Sequence, residues 1–192
     1  MSRGTAYSLP NLLTYARILA VPAVVACHYI PGLESRWVAV GIFIAAAVTD
    51  FFDGYLARAW QQQSALGRML DPIADKLLVA TCLLLLAADG TIAGWSLIAG
   101  IVILCREVLV SGLREYLAEV RVSLPVTRLA KWKTTAQLVA IGVLLAGPAG
   151  DVLVPYFTTF GLALLWISAL LTIYTGWDYL RAGIGHVVEN DA

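Results

Sequence analysis

The chain has 192 residues, of which 60% are hydrophobic and only 14% charged, with a formal net charge of zero. A soluble domain is closer to half apolar and a quarter charged, so an ordinary water-soluble fold is excluded, and so is a basic nucleic-acid binder. Cys27, Cys82 and Cys105 are scattered through apolar stretches without CxxC spacing, and His28 and His186 are the only histidines. Neither a disulfide framework nor a zinc site fits that inventory.

In chain order, hydropathy marks six apolar segments, at about 9–30, 37–60, 70–88, 92–117, 131–148 and 153–178. The expected fold is therefore all-α: a single polytopic membrane domain over 1–192, with six transmembrane helices. Turn chemistry falls at Pro31-Gly32, Asp89-Gly90 and Pro148-Ala149-Gly150-Asp151. The first segment could be read as a cleaved leader, but Arg17 inside it and five further spans favour a membrane helix.

Topology follows from the cations. Placing the N-terminus inside puts Arg3, Arg17, Arg58, Arg68, Lys76, Arg106, Arg114, Arg121, Arg128, Lys131, Lys133 and Arg181 at inner ends, leaving Arg36 alone outside. This distribution predicts a multi-pass membrane protein with both termini, and Asp50, Asp53, Asp71 and Asp75, on the cytoplasmic side.

Four aspartates interrupt the apolar pattern: Asp50 and Asp53 late in the second segment, Asp71 and Asp75 early in the third. A carboxylate in a membrane helix costs roughly 2.5–3.5 kcal/mol on insertion scales, so four cost on the order of 10 kcal/mol before mutual repulsion. Asp50, Asp53, Gly54 and Ala57 share one helical face, and Asp71 and Asp75 are an i, i+4 pair on the next helix. A turn between Trp60 and Gly67 would bring the helices back antiparallel and converge the four carboxylates. Two carboxylates 4 Å apart repel by about 4 kcal/mol at an effective dielectric near 20. Hard divalent cations remove that penalty, and all-oxygen ligation suits Mg²⁺ or Mn²⁺; a pair of such ions is the usual device for phosphoryl displacement. Gly54 and Ala57 leave a shallow floor for a base or pyrophosphate, Arg58 offers a fork to phosphate oxygens, and Gly67 permits close helix approach or a positive φ.

The eight residues Asp50, Asp53, Gly54, Ala57, Arg58, Gly67, Asp71 and Asp75, spaced D-x2-D-G-x2-A-R-x8-G-x3-D-x3-D, match the signature of the CDP-alcohol phosphatidyltransferase family at every fixed position. The resemblance implies a six-helix membrane enzyme, usually a homodimer, that joins an alcohol to a phosphatidyl group from a CDP-linked lipid and releases CMP. It also implies that Asp50, Asp53 and Asp71 hold two metal ions, with Asp75 a further ligand and the general base. Gly54, Ala57, Arg58 and Gly67 would then line the site for CDP-diacylglycerol.

The acceptor is read from the remaining inner residues. Arg106 and Arg114 lie eight residues apart, nearly on one helical face, and the fifth segment opens with Lys131-Trp132-Lys133-Thr134. Bringing Arg106, Arg114 and Lys131 together near the metal site, with Lys133 and Thr134 close by, would build a pocket for an acceptor that itself carries phosphate. Anchoring to anionic headgroups is the competing use of these cations. Asn11, Thr14 and Arg17 recur at i, i+3 and i+6 on the first helix, where they could touch CDP or the acceptor or lie along the headgroups. The stretches Ser8–Arg17, Arg106–Glu115 and Lys131–Gln137 resemble the branch of the family whose acceptor is sn-glycerol 3-phosphate. Other acceptors in the family are inositol phosphate, serine and phosphatidylglycerol. Outside it, a cation transporter would also place carboxylates in the membrane, but with polar residues along both half-channels.

Overall fold

A computed structural model describes the backbone of residues 9–60, 65–120 and 128–190. The side chains of residues 9–10, 51–60, 65–66, 68, 128, 130–131, 182 and 185–190 lie outside that description. Those described residues form six helices: α1 Leu9–Tyr29, α2 Leu33–Trp60, α3 Ala65–Ala88, α4 Ser96–Glu119, α5 Arg128–Leu153 and α6 Phe157–Asn190. Four of them contain spans long and apolar enough to cross a membrane, at Asn11–Tyr29, Ser96–Glu119, Trp132–Leu153 and Phe157–Arg181. α2 and α3 carry the four aspartates Asp50, Asp53, Asp71 and Asp75.

The helix ends differ from the hydropathy reading for physical reasons. Hydropathy stops at charge, whereas α2 begins at Leu33 and carries Glu34, Ser35 and Arg36 in its first turn. Ser35 Oγ stands 2.7 Å from the carbonyls of both Ile30 and Gly32, tying the helix start to the turn. Gly32 takes φ 126°, a conformation that suits glycine. The turn expected at Pro148–Asp151 is displaced. The backbone breaks at Gly147 (φ 39°), then the helix resumes and runs to Leu153. Pro148 follows the break directly, the first position of a new helical stretch, where its missing N–H removes no bond. The connection to α6 therefore falls at Val154–Tyr156, and Asp151 reaches across it. Its carboxylate accepts from the Thr158 N–H at 2.9 Å and the Thr158 hydroxyl at 2.5 Å, satisfying a donor that the first turn of α6 would leave open.

Two sets of residues pack internally and are described separately: Met1–Thr91 with Ile141–Thr158, and Ile92–Ala140 with Thr159–Ala192. In the first, α1 packs against both α2 and α3. Val24, Phe43, Ala46, Ala74, Leu78, Cys82 and Leu86 are buried there, and the Phe43 ring lies 3.7 Å from where a side chain on Gly142 would begin. In the second, Ala99, Ile103, Val110 and Leu117 of α4 and Leu165 and Ala169 of α6 are buried. Many large apolar side chains point outward, among them Leu84, Ile101, Val108 and Leu170, as lipid-facing helices require. Trp37, Trp95, Trp132, Tyr156 and Trp177 are also exposed, in keeping with aromatic belts at the two interfaces.

One end of the first set is tied by charge. Arg36 Nη2 donates to Asp89 at 2.6 Å, the Thr91 N–H donates to the same carboxylate at 2.9 Å, and His28 Nε2 lies 3.9 Å from it. Burial alone would raise the Asp89 pKa, but the bonds from Thr91 and Arg36 outweigh it and hold the carboxyl below its usual range. A group whose folded pKa is depressed stabilises above its unfolded pKa, and that contribution is lost as pH falls through the folded value. Asp89→Asn should cost about 1 kcal/mol at neutral pH after allowance for solvent screening, a Tm loss of roughly 2–4 °C. Melting curves should show the gap from wild type closing as pH is lowered through the acid range. A gap that persists below the folded pKa would assign the loss to packing instead.

Candidate active site

α1 supplies the first layer of the site. Asn11, Thr14 and Arg17 are at most 2% exposed, so this stripe faces the interior and not a headgroup layer. Arg17 Nη1 pairs with Asp50 at 2.5 Å, and the Thr14 hydroxyl donates to Asp71 Oδ1 at 2.5 Å. Two residues one turn apart on α1 therefore reach one carboxylate on α2 and one on α3. The ion pair is lopsided, with Arg17 1% exposed and Asp50 44% exposed. A guanidinium this deep is tolerable only with an anionic partner, whereas the open side of Asp50 remains available to another ligand. The Thr14 bond is charge-assisted, and with the Arg17 ion pair it holds the two carboxylates against α1.

The remaining acidic residues are placed by their helices. Asp75 lies one turn after Asp71 on α3 and is half-buried beside the fully buried Ala74. Gly67 is helical, buried, and in the first turn of α3. Asp53, Gly54, Ala57 and Arg58 lie on the last turns of α2, but their side chains are outside the described residues, as is the loop 61–64. Among the described residues no three His, Cys, Asp or Glu side chains meet closely enough to enclose a metal ion. What the described side chains do fit is the chemistry of a hard cation. Asp50, Asp71 and Asp75 offer oxygen only, and one of them keeps an open face.

The second set of residues holds a cluster of cations. Glu107 on α4 forms an ion pair with Lys133 on α5, which is 3% exposed, and its Oε1 also lies 3.5 Å from Arg106 Nη1. Glu107 therefore lies against two cations at once. Arg106 Nη2 donates to the Thr175 hydroxyl at 3.5 Å, and its Nε is buried with no hydrogen-bond partner among the described residues. A buried N–H without a partner carries a desolvation cost, and an anion would relieve it. Arg114 Nη2 donates to the Tyr179 hydroxyl at 3.5 Å, and its guanidinium carbon stands 5.5 Å from the centre of that ring. Thr134 is exposed on α5, and the Lys131 side chain lies outside the described residues.

The residues that sequence reading passed over are on α6. Thr175, Gly176 and Tyr179 carry no charge, and threonine, glycine and tyrosine are ordinary in apolar helices. The one available signal was their spacing at i, i+1 and i+4, continued by Gly183 at i+8. The Arg17–Asp50 and Thr14–Asp71 pairs were legible only halfway: the α1 stripe was visible, its partners were not.

Residues 7–174 match the CDP-alcohol phosphatidyltransferase family. A CDP-diacylglycerol–glycerol-3-phosphate 3-phosphatidyltransferase of Cereibacter sphaeroides is 42% identical, covering 95% of this chain and 98% of the relative. The protein of the same name from Rickettsia bellii is 45% identical over 91% of this chain and 94% of its own length. That from Salmonella choleraesuis is 38% identical over 95% and 98%. With a match that spans the acidic signature, both α1 pairs and the α4 cations, the chain belongs to the CDP-alcohol phosphatidyltransferase family.

Proposed function

We propose that the chain transfers the phosphatidyl group of CDP-diacylglycerol to sn-glycerol 3-phosphate, giving phosphatidylglycerophosphate and CMP. The observation that carries the reading is the acidic signature from Asp50 to Asp75, filled at every position in a chain whose relatives of that name cover it almost completely. It is a multi-pass membrane enzyme. The asymmetry of Lys and Arg supports six spans, with both termini and the active site on the cytoplasmic side of the inner membrane. A homodimer is the assembly that the family resemblance implies.

The reaction we infer is an in-line displacement. Asp75 takes the proton of the primary hydroxyl of glycerol 3-phosphate, whose oxygen forms a bond to the β-phosphorus of the lipid as the bond to CMP breaks. Arg17 and Thr14 fix Asp50 and Asp71 from α1, and Asn11, Gly54, Ala57, Arg58 and Gly67 receive the CDP end of the lipid. Arg106, Arg114 and Lys131 bind the acceptor phosphate, and Lys133 holds Glu107 so that its charge does not repel that phosphate. Mg²⁺ or Mn²⁺, as two ions on Asp50, Asp53, Asp71 and Asp75, would supply charge neutralisation at phosphorus when bound. Orientation of two bound reactants contributes much of the acceleration in such a site.

The test is CMP release by the detergent-purified protein with CDP-diacylglycerol and Mg²⁺, offering glycerol 3-phosphate, inositol 1-phosphate, serine or phosphatidylglycerol alone. Release with glycerol 3-phosphate only is the expected result. Release with another acceptor would keep the displacement chemistry and overturn the reading of the cation cluster. A folded protein inactive with all four, yet carrying metal across vesicles, would be an ion carrier.

A further inference from the structure

We propose that α6 aims the two arginines of α4: Thr175 and Gly176 under Arg106, and Tyr179 under Arg114, are positioning residues for the acceptor phosphate. The inference rests on the assignment of Arg106 and Arg114 to that phosphate.

The argument begins with the Thr175 hydroxyl. Its oxygen lies 2.8 Å from the carbonyl of Leu171, one turn back, so its single proton is committed to the backbone. The lone pairs that remain face Arg106 and accept from Nη2. Because the hydroxyl cannot turn, the guanidinium is held in one orientation. At 3.5 Å the bond is long, so it directs the group without neutralising it, and the buried Nε is left for a ligand.

Gly176 completes the seat. A methyl group there would lie 3.0 Å from Arg106 Cγ and 3.6 Å from Nε, so the arginine stem occupies the space that any other residue would fill. One turn on, Tyr179 is 8% exposed and presents its ring to the Arg114 guanidinium and its hydroxyl to Nη2. At Gly183 a methyl group would come within 2.9 Å of Leu113, so α6 lies close to α4 along this whole face. One helix face without charge thus contacts both cations and fixes their directions. Packing alone would not need a hydroxyl at 175 whose proton is already bound and whose oxygen meets a cation.

Thr175→Val keeps the branched shape and removes the acceptor oxygen. It is expected to raise the KM for glycerol 3-phosphate about five- to tenfold while kcat and the KM for CDP-diacylglycerol stay within about twofold. Thr175→Ser, which restores the oxygen, should return the KM to near the wild-type value. Should Thr175→Val fail to fold, by melting and by elution as a single species, Tyr179→Phe decides the question with the same measurements. It keeps the ring over Arg114 and removes only the hydroxyl. An unchanged acceptor KM in the folded variant, or parallel shifts in kcat and both KM values, would overturn the proposal. Arg106→Ala measured beside them separates the two readings. A wild-type acceptor KM in Arg106→Ala removes the phosphate assignment itself, whereas a raised one with Thr175→Val unchanged removes only the seat.

Discussion

Asp75→Asn is expected to lower CMP release by roughly 10³-fold or more, with the protein still folded. The substitution exchanges one oxygen for an amide of nearly the same shape, so the half-buried position beside Ala74 is filled as before. It removes the proton acceptor that the proposed mechanism assigns to Asp75, a contribution typically worth about 10²- to 10⁴-fold. It also removes one negative charge from a cluster in which Asp71 stands one turn away. That second effect weakens cation binding, and raising Mg²⁺ compensates for it. The two roles therefore separate in a metal titration. A deficit that persists at saturating Mg²⁺ is the loss of the base, whereas recovery with added metal would make Asp75 a ligand only. Turnover like the wild type at every metal concentration would remove it from the mechanism. Thermal melting and elution as a single species establish that the variant is folded.

The candidate acidic site was legible because its signal is local. Asp50, Asp53, Asp71 and Asp75 lie within twenty-six positions of sequence, and carboxylates in apolar helices are costly enough to require a use. What holds them is not local. Thr14 lies 57 positions from Asp71, and no period in the sequence shows that α1 packs against α2 and α3. The helix ends show the same division. Arg36 looked like the boundary of an apolar segment, but it is helical because Asp89, 53 residues away, receives it. Pro148 looked like a turn and is the start of a resumed helix, since only the φ of Gly147 decides which of the two occurs. On α6 the helix itself was legible from hydropathy, but the side that meets α4 was not. Thr175 and Tyr179 gain their roles from Arg106 and Arg114, and a threonine in an apolar helix satisfies its hydroxyl on its own backbone wherever it stands.

Arg106→Ala should raise the KM for glycerol 3-phosphate about 30- to 100-fold, with the KM for CDP-diacylglycerol changed by no more than about twofold. Three losses act in the same direction. The charge proposed to attract the phosphate is gone, and with it the buried Nε donor that no described protein group uses. Glu107 also loses a cation 3.5 Å from its Oε1, leaving Lys133 as its ion-pair partner among the described residues, so more negative charge faces the incoming anion. A side chain that only anchored the helix to anionic headgroups would produce none of this asymmetry, because its loss would affect both substrates alike. Arg106→Lys makes the argument finer. It restores the charge beside Glu107 but not the planar fork, so an acceptor KM between those of the wild type and the alanine variant is expected. A lysine variant indistinguishable from wild type would mean that charge alone is read at this position. Equal changes in both substrates for the alanine variant would return Arg106 to a scaffolding role.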